Sequence, residues 1–178
     1  MTDVANYIKL GSVLPDANMA WRNDFRWRNF NFGFMVSARL GGVVFSRTQS
    51  MLDYYGVSEA TAAARDAGGV MINGNDLVDA NKWYTAIGGG NSVPQYYTYS
   101  ATNVRLQEAS IGYTIPKKTL GDICEITLSL VGRNLWMIYN KAPFDPETIA
   151  TTGNYYQGVD YFMSPSMRNI GFNLRVKF

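Results

Sequence analysis

Alternation of apolar and polar side chains runs through long segments of the chain and predicts β-strands. From residue 30 to residue 44 the even-numbered positions are apolar or small, namely Phe30, Phe32, Phe34, Val36, Ala38, Leu40, Gly42 and Val44. Successive side chains of a strand point to opposite faces, so one face of this strand is apolar. The same alternation recurs from Cys124 to Trp136 and from Ile170 to Phe178. It predicts strands at about residues 27–46, 123–139 and 167–178.

A fourth segment, at about residues 102–116, alternates in two phases. Val104 and Leu106 share one phase, whereas Ala109, Ile111, Tyr113 and Ile115 share the other. One extra residue in a strand reverses the alternation, so a β-bulge near Gln107 and Glu108 restores a continuous apolar face. We therefore predict a bulged strand over this segment.

The length of these segments separates two β architectures. Strands of soluble proteins average about 5–6 residues, whereas a tilted strand needs about 9–11 residues to cross a bilayer. The opposite face is polar, which suits the watery lumen of a membrane barrel. The predicted fold is therefore all-β, made of antiparallel transmembrane β-barrel strands with long outer loops that carry short helices. A soluble or surface-exposed β-rich glycan-binding module is the alternative.

The connections between the predicted strands differ in length. Residues 116–122 form a short polar turn, whereas the outer loops at about residues 47–101 and 140–166 are long. Outer-membrane barrels combine short periplasmic turns with long outer loops. Aromatic residues then fall at both ends of the crossings, where rings prefer the headgroup level. Trp27, Phe30, Tyr113 and Phe178 are expected at the short-turn end, and Phe45, Trp136 and Tyr139 at the other end.

The first long loop contains a predicted helix. Ser58 is a good N-cap, Glu59 favours the positive end of the helix dipole, and the alanine-rich run to Arg65 favours helix. Gly68 is expected to end this helix, and Gly56 to end a preceding turn around residues 51–55.

Composition excludes several classes of function. The chain has 178 residues, a net charge of +2, one cysteine (Cys124) and no histidine. So small a charge gives no nucleic-acid footprint, and the absence of histidine removes the usual zinc and triad chemistry. No nucleophile stands with a base, so we predict no catalytic residue, no metal, no cofactor and no enzyme activity. The N-terminus, from Met1 to Val4, lacks the features of a signal peptide, so we expect this chain to be part of a longer protein.

Several strings, in order and spacing, resemble the C-terminal end of SusC/RagA-family TonB-linked outer-membrane proteins. The strings are LGSVLPD (residues 10–16), FNFGFMVSARLGG (30–42), LDYYGVS (52–58), ARDAGGV (64–70), ATNVRLQEASIGYTIP (101–116), GRNLWMIYNKAPFDPE (132–147), PSMR (165–168) and GFNLRVKF (171–178). The resemblance covers nearly the whole chain. It implies that residues 1–178 are the C-terminal part of one β-barrel domain, the last four or five strands of a twenty-two-stranded barrel.

The resemblance also implies a location and partners. A protein of this family spans the outer membrane of a Gram-negative bacterium many times and imports glycans or, in the RagA branch, peptides. It works with a SusD-like surface lipoprotein and draws energy from TonB, which contacts a part of the protein outside this chain. An aromatic C-terminus on an alternating strand resembles the signal read by the barrel-assembly machinery, which here is Phe172, Leu174, Val176 and Phe178.

Candidate contacts to cargo or to the lipoprotein lie in the loops. Tyrosine rings offer apolar area with a polar tip, which suits sugar rings or a protein partner. Asp145 and Glu147 flank Pro146 and suit either a ligand contact or a structural anchor of the loop. Lumen-facing Arg39, Arg133, Arg175 and Lys177 are expected to pair with carboxylates of a plug. The tyrosine candidates are Tyr96, Tyr97, Tyr99, Tyr155, Tyr156 and Tyr161.

Overall fold

The computed structural model describes residues 8–151 and 153–178, so the segment from Met1 to Val4 lies outside the described residues. The strands, in chain order, are β1 (Ala17–Trp27), β2 (Phe30–Leu40), β3 (Val43–Ser46), β4 (Val70–Ile72), β5 (Asp76–Val78), β6 (Thr98–Ser100), β7 (Asn103–Ile115), β8 (Glu125–Asn140), β9 (Val159–Asp160) and β10 (Asn169–Lys177). The helices are α1 (Arg47–Tyr54), α2 (Glu59–Asp66), α3 (Ala80–Ile87) and α4 (Pro94–Tyr97), and a 3₁₀ turn covers Lys117–Leu120. None of the described helices has the length and apolar character needed to cross a membrane.

The principal element is a five-stranded antiparallel sheet in the order β1-β2-β7-β8-β10. Because every pairing is antiparallel, the chain runs up and down through the sheet. The prediction of an all-β antiparallel fold is therefore confirmed. Its strands have 11, 11, 13, 16 and 9 residues, so each reaches or exceeds the about 9–11 residues that a tilted strand needs to cross a bilayer.

The bulge predicted in the fourth segment is confirmed. Pairing of β7 with β8 shifts between Leu106 and Glu108, so Gln107 has no partner of its own in the register. Pairing of β7 with β2 shifts at the matching point, between Met35 and Val36. The extra residue returns the apolar side chains on both sides of the bulge to one face.

The segment predicted as one strand over residues 27–46 is two strands in different sheets. Gly41 and Gly42 both have positive φ angles, of 76° and 81°, a conformation that glycine adopts without the penalty of a Cβ atom. The chain therefore leaves the large sheet after Leu40. Val44 was expected on the apolar face with Phe30, but it lies in β3 and is buried.

Strand β1 was not predicted. The odd-numbered positions from 17 to 27 are apolar apart from Asn23, and the even-numbered positions are polar apart from Ala20, so the alternation indicates a strand that our prediction did not include. Pairing with β2 decides its conformation, because every residue of β1 has a partner there. A two-residue turn joins the strands, and Arg28 adopts a positive φ of 54° in it, as tight hairpin turns require.

The chain divides into two compact units. The sheet unit comprises Pro15–Gly41, Ala101–Glu147 and Pro165–Phe178 and contains the five-stranded sheet. The loop unit comprises residues 8–14, Gly42–Ser100 and the described part of Thr148–Ser164. It holds helices α1 to α4, the small sheet β6-β3-β9 and the hairpin β4-β5. Its buried residues include Val44, Ala80, Ile87 and Tyr97.

Helix α2 begins and ends as the sequence predicts. Ser58 is its N-cap, and the Ser58 side chain accepts a hydrogen bond from the Thr61 amide. Gly68, with φ 81°, follows the last turn, and Gly56, with φ 69°, follows α1. Helix α2 is therefore bounded by local capping chemistry.

We expect Ser58→Ala to destabilise helix α2 by about 1 kcal/mol, because the mutation removes the hydroxyl that caps its first turn. Hydrogen exchange of the α2 amides measures the effect. Ser164→Ala, which alters an exposed serine outside the helices, is the control and should leave the exchange unchanged. Equal exchange in both variants would contradict the cap.

Candidate functional site: the two faces of the sheet

One face of the five-stranded sheet is apolar from edge to edge. The register places one side chain of each strand in a continuous row, which consists of Phe25, Phe32, Ile111, Leu130 and Phe172. The next row toward the short turns consists of Trp27, Phe30, Tyr113, Leu128 and Leu174. Strand alternation produces these rows, because each strand contributes its apolar positions to the same side. We call this surface the apolar face.

Ring contacts order the part of the apolar face formed by β1, β2 and β7. Phe25 stacks on Phe32 with a centroid distance of 6.3 Å, and Phe30 meets Tyr113 edge-on at 4.9 Å. Aromatic pairs at these distances contribute about 0.5–1.5 kcal/mol beyond the area they bury. The contacts hold neighbouring strands together without covering the outer side of the rings.

The apolar face is exposed. Phe32 retains 45% of its accessible surface and Phe172 retains 82%. Among the described residues, the members of both rows are exposed rather than packed under a second layer. A water-soluble protein rarely exposes a contiguous apolar patch beyond a few hundred Å². This face therefore requires an apolar environment outside the chain.

The opposite face, here the polar face, carries cross-strand hydrogen bonds. Asn31 Nδ2 donates to Thr114 Oγ1 at 3.0 Å, and Thr114 Oγ1 lies 3.1 Å from Thr127 Oγ1. Ser37 Oγ donates to Gln107 Oε1 at 3.3 Å, so the side chain of the bulge residue also takes part in these cross-strand hydrogen bonds. Small hydroxyl and amide side chains thus line the middle of the sheet on the side away from the apolar face.

An ion cluster on the polar face joins residues of three strands, β1, β7 and β8. Glu108 lies 3.2 Å from Arg133 and 3.9 Å from Arg22, and Arg22 also pairs with Asp24 at 2.9 Å. Arg133 was expected to pair with a carboxylate of a plug; it meets one within its own sheet. The arginines are largely exposed, so solvent screens each pair and it adds little to the stability of the fold. The cluster gives the polar face both signs of charge.

Both short turns lie at the same end of the sheet. Phe30, which follows the first turn, pairs with Tyr113, which precedes the second. The Thr114 amide also donates to the Asn29 carbonyl at 2.8 Å, which ties the first turn to the end of β7. The long connections, residues 41–102 and 141–168, both leave the opposite end of the sheet. The sequence predicts the second short turn and the two long connections, whereas the turn at residues 28–29 lies within the segment that was predicted as strand.

A buried arginine holds one long connection to the sheet. Arg105 is 4% exposed, and its Nη2 lies 2.7 Å from Asp145 Oδ1 and 3.4 Å from Glu147 Oε2. Its Nη1 donates to Ser166 Oγ at 3.0 Å, and the hydroxyl of Ser166 in turn donates to Asp145. Asp145 and Glu147 therefore anchor the loop, which is one of the two interpretations open from the sequence. The sequence did not indicate Arg105, because its partners lie about forty to sixty residues away.

The surroundings of Asp145 favour its charged form. Burial alone would raise the pKa of Asp145, but hydrogen bonds from Ser166, the Glu147 amide and Arg105, together with the charge of Arg105, bring that pKa below its ordinary value. A depressed carboxyl pKa means that folding stabilises the ionised group. The Asp145 anchor is thus coupled to pH.

We expect the long connection 141–168 to loosen in acid. A group with a lowered folded pKa contributes its stability fully above the unfolded value, about 3.9 for aspartate, and loses it as the pH falls through the folded pKa. Proteolytic cleavage within residues 141–168 should therefore increase below about pH 4. Asp145→Asn should remove this pH step, since no charge is left to titrate. A step of equal size in both proteins would contradict the coupling.

The predicted tyrosines fall into two groups, all within the loop unit. Tyr97 is 2% exposed and Tyr99 is half-buried. Burial, followed by the charge of Asp53, raises the pKa of both hydroxyls. The ring of Tyr97 is a core side chain of the loop unit, because it fills the space beside helix α1. It is not available to a surface ligand.

The exposed tyrosines stand in edge-to-face aromatic pairs. Tyr96 meets Trp83 edge-on at 5.6 Å, Tyr155 meets Tyr156 at 4.7 Å, and Tyr161 meets Phe162 at 5.2 Å. Tyr155 is 88% exposed. Each pair limits the freedom of its rings and leaves aromatic surface open. Open, ordered aromatic surface of this kind suits sugar rings and protein partners.

The proposed assembly-signal residues lie on and after the last strand. Phe172, Leu174 and Val176 project from β10 on the apolar face, and exposed Phe178 follows the end of the strand. Among the described residues, β10 pairs on one side only, with β8. Its other edge is a template for a further strand.

Comparisons with known proteins give two curated relatives, both from Formosa agariphila. TonB-dependent receptor P3 is 25% identical over 177 residues, which cover 95% of this chain and 17% of the receptor. TonB-dependent receptor P26 is 26% identical over 182 residues, which cover 96% of this chain and 18% of the receptor. The chain is similar to TonB-dependent receptors. No protein-family profile matches it.

The similarity to TonB-dependent receptors agrees with the resemblance seen in the sequence at that broader level. The SusC/RagA branch stays a prediction. The chain spans less than a fifth of the length of either curated relative. What a complete TonB-dependent receptor imports and binds therefore enters only as a proposal for this chain.

Proposed function

We propose that this chain forms five adjacent strands of the wall of a TonB-dependent importer in the outer membrane of a Gram-negative bacterium. The observation that carries the proposal is the pair of opposite sheet faces. One face exposes rows of apolar side chains across all five strands, and the other is hydrogen-bonded and charged. A β-barrel wall needs this division, since lipid lies on one side and a watery lumen on the other.

The proposal assigns each part of the molecule a place. The apolar face contacts lipid tails, and the polar face lines the lumen. The short turns at residues 28–29 and 116–124 face the periplasm, and the connections 41–102 and 141–168 lie outside the cell. Sheet edges at β1 and β10 continue into further strands, because an open edge in a bilayer leaves backbone groups without partners.

The finer assignment is a SusC/RagA-type importer of nutrient oligomers, glycans or peptides. It would work with a SusD-like lipoprotein outside the cell and with TonB through a part of the protein beyond this chain. Exposed aromatic pairs at Tyr96, at Tyr155 with Tyr156, and at Tyr161 support a contact role for the loop unit with cargo or with the lipoprotein. Asp145 and Glu147 contribute by anchoring the connection that precedes Tyr155. Phe172, Leu174, Val176 and Phe178 would serve recognition by the barrel-assembly machinery.

Spin labels on the last strand test the proposal. Phe172, Asn173 and Leu174 are replaced one at a time by labelled cysteine in the full-length protein in lipid vesicles, with Cys124→Ser as the background. Oxygen concentrates in lipid, and a water-soluble nickel complex does not. We expect labels at 172 and 174 to collide mainly with oxygen, and the label at 173 to collide more with nickel, because neighbouring positions face opposite sides.

Asn173 is the matched control, because it lies in the same strand between the two apolar positions. A soluble glycan-binding module would bury positions 172 and 174 against a second layer. Both labels would then be shielded from oxygen and from nickel alike. That result would overturn the membrane assignment, whereas alternation in the collision rates supports it.

A further inference from the structure

Charge is distributed unevenly between the short turns and the long connections that join the strands of the large sheet. The short turns at residues 28–29 and 116–124 hold three basic residues and one acidic residue, namely Arg28, Lys117, Lys118 and Asp122. The long connections 41–102 and 141–168 hold five basic and eight acidic residues. We call the two short turns the turn end. The turn end is therefore positive, and the long connections are negative.

The cations of the turn end lie next to aromatic rings. Arg28 is placed over the ring of Trp27 with its guanidinium carbon 5.6 Å from the ring centroid. Trp27 stacks on Phe30 at 6.3 Å, and Phe30 contacts Tyr113 at 4.9 Å. These three rings are exposed at the end of the apolar face that lies next to the short turns. Rings of this kind sit at the headgroup level of a bilayer.

The lysines of the second turn are available to a partner. Lys118 is exposed and Lys117 is half-exposed in the 3₁₀ turn. Among the described residues, no ion pair joins either lysine to a carboxylate. The hydrogen bond from the Thr114 amide to the Asn29 carbonyl brings the two turns onto neighbouring strands. Arg28, Lys117 and Lys118 thus form one basic edge immediately beyond the aromatic rings.

We propose that the turn end binds the headgroups of anionic glycerophospholipids. This inference rests on the proposed function, which places the apolar face in a bilayer. The rings would then fix the depth of the turns, and the cations beyond them would meet phosphate at the membrane surface. A phospholipid with net negative charge complements this basic edge, because each basic residue near an anionic membrane surface strengthens binding to that surface about fivefold. A zwitterionic headgroup offers no net attraction.

Energy transfer to labelled lipids tests the proposal. The full-length protein carries Thr119→Cys with a donor fluorophore, on a Cys124→Ser background, in vesicles of phosphatidylcholine and phosphatidylglycerol in equal parts. Thr119 is exposed in the same turn, and its backbone amide donates to the Pro116 carbonyl. Acceptor is placed either on phosphatidylglycerol or on phosphatidylcholine. We expect stronger transfer to phosphatidylglycerol at low salt and a smaller difference at high salt, since salt screens surface charge.

Matched variants separate local attraction from overall charge. Lys117→Gln with Lys118→Gln should reduce the preference at low salt by roughly fivefold for each charge removed. Lys82→Gln with Lys141→Gln removes the same charge from the long connections and should leave the preference unchanged. An equal loss in both double variants, or equal transfer to both lipids, would overturn the headgroup site while the wall assignment stands. No transfer to either lipid would overturn both.

Discussion

Arg105→Met is expected to lower the free energy of unfolding by about 3–5 kcal/mol, because it leaves a buried carboxylate without its cation. Arg105 and Asp145 are both largely buried, and they lie 2.7 Å apart. The mutation also removes the contacts that Glu147 and Ser166 make with the Arg105 guanidinium. Urea denaturation of the full-length protein in vesicles measures the change. Protease sensitivity of residues 141–168 should rise with it.

Two further variants test the cause. Arg22→Met removes an exposed arginine from the ion cluster of the polar face and should leave the free energy of unfolding almost unchanged, because solvent screens its ion pairs. Adding Asp145→Asn to Arg105→Met should recover part of the lost stability, because no buried charge then remains unpaired. If the loss of unfolding free energy in the double variant equals the sum of the losses in Arg105→Met and in Asp145→Asn, the ion pair is not the cause.

We expect the second large loss of stability for Phe172→Arg. This expectation depends on the proposed contact of the apolar face with lipid. An arginine on the lipid side of a barrel strand costs about 2–4 kcal/mol near the middle of the bilayer. Phe172 belongs to a row that crosses all five strands, so the new charge would enter the apolar face away from the turns. Urea titration of the protein folded in vesicles measures the loss.

Asn173→Arg is the matched control for this prediction. It places the same side chain one residue further along β10, on the polar face. We expect a change within about 0.5 kcal/mol, as for a surface substitution away from buried groups. Equal losses at positions 172 and 173 would mean that the two faces do not meet different solvents.

The alternation was sufficient to predict the central strands and the bulge. Strand period is a local property, so positions such as Phe172 and Leu174 reveal their common face without any partner. A single phase change near Gln107 likewise indicates a bulge, and the capping residues of α2 act within one helical turn. These features depend on neighbours in the sequence.

Longer-range features were not predictable in this way. The partner of strand β1 is set by the fold, in which every residue of β1 pairs with β2. Tyr97 resembles Tyr96 in the sequence, but one is buried in the loop unit and the other is exposed. The break at Gly41 and Gly42 separates Val44 from the apolar face, although its alternation continues without interruption.

For this protein, the sequence by itself determined that long antiparallel strands present one apolar and one polar side, because a pleated backbone reverses each successive side chain. Only the tertiary structure decided which residues meet. The guanidinium of Arg105 finds Asp145 and Ser166 through the path of a long loop, and the apolar rows form through strand register. Such contacts join residues far apart in the chain, so their energies depend on the whole fold rather than on local pattern.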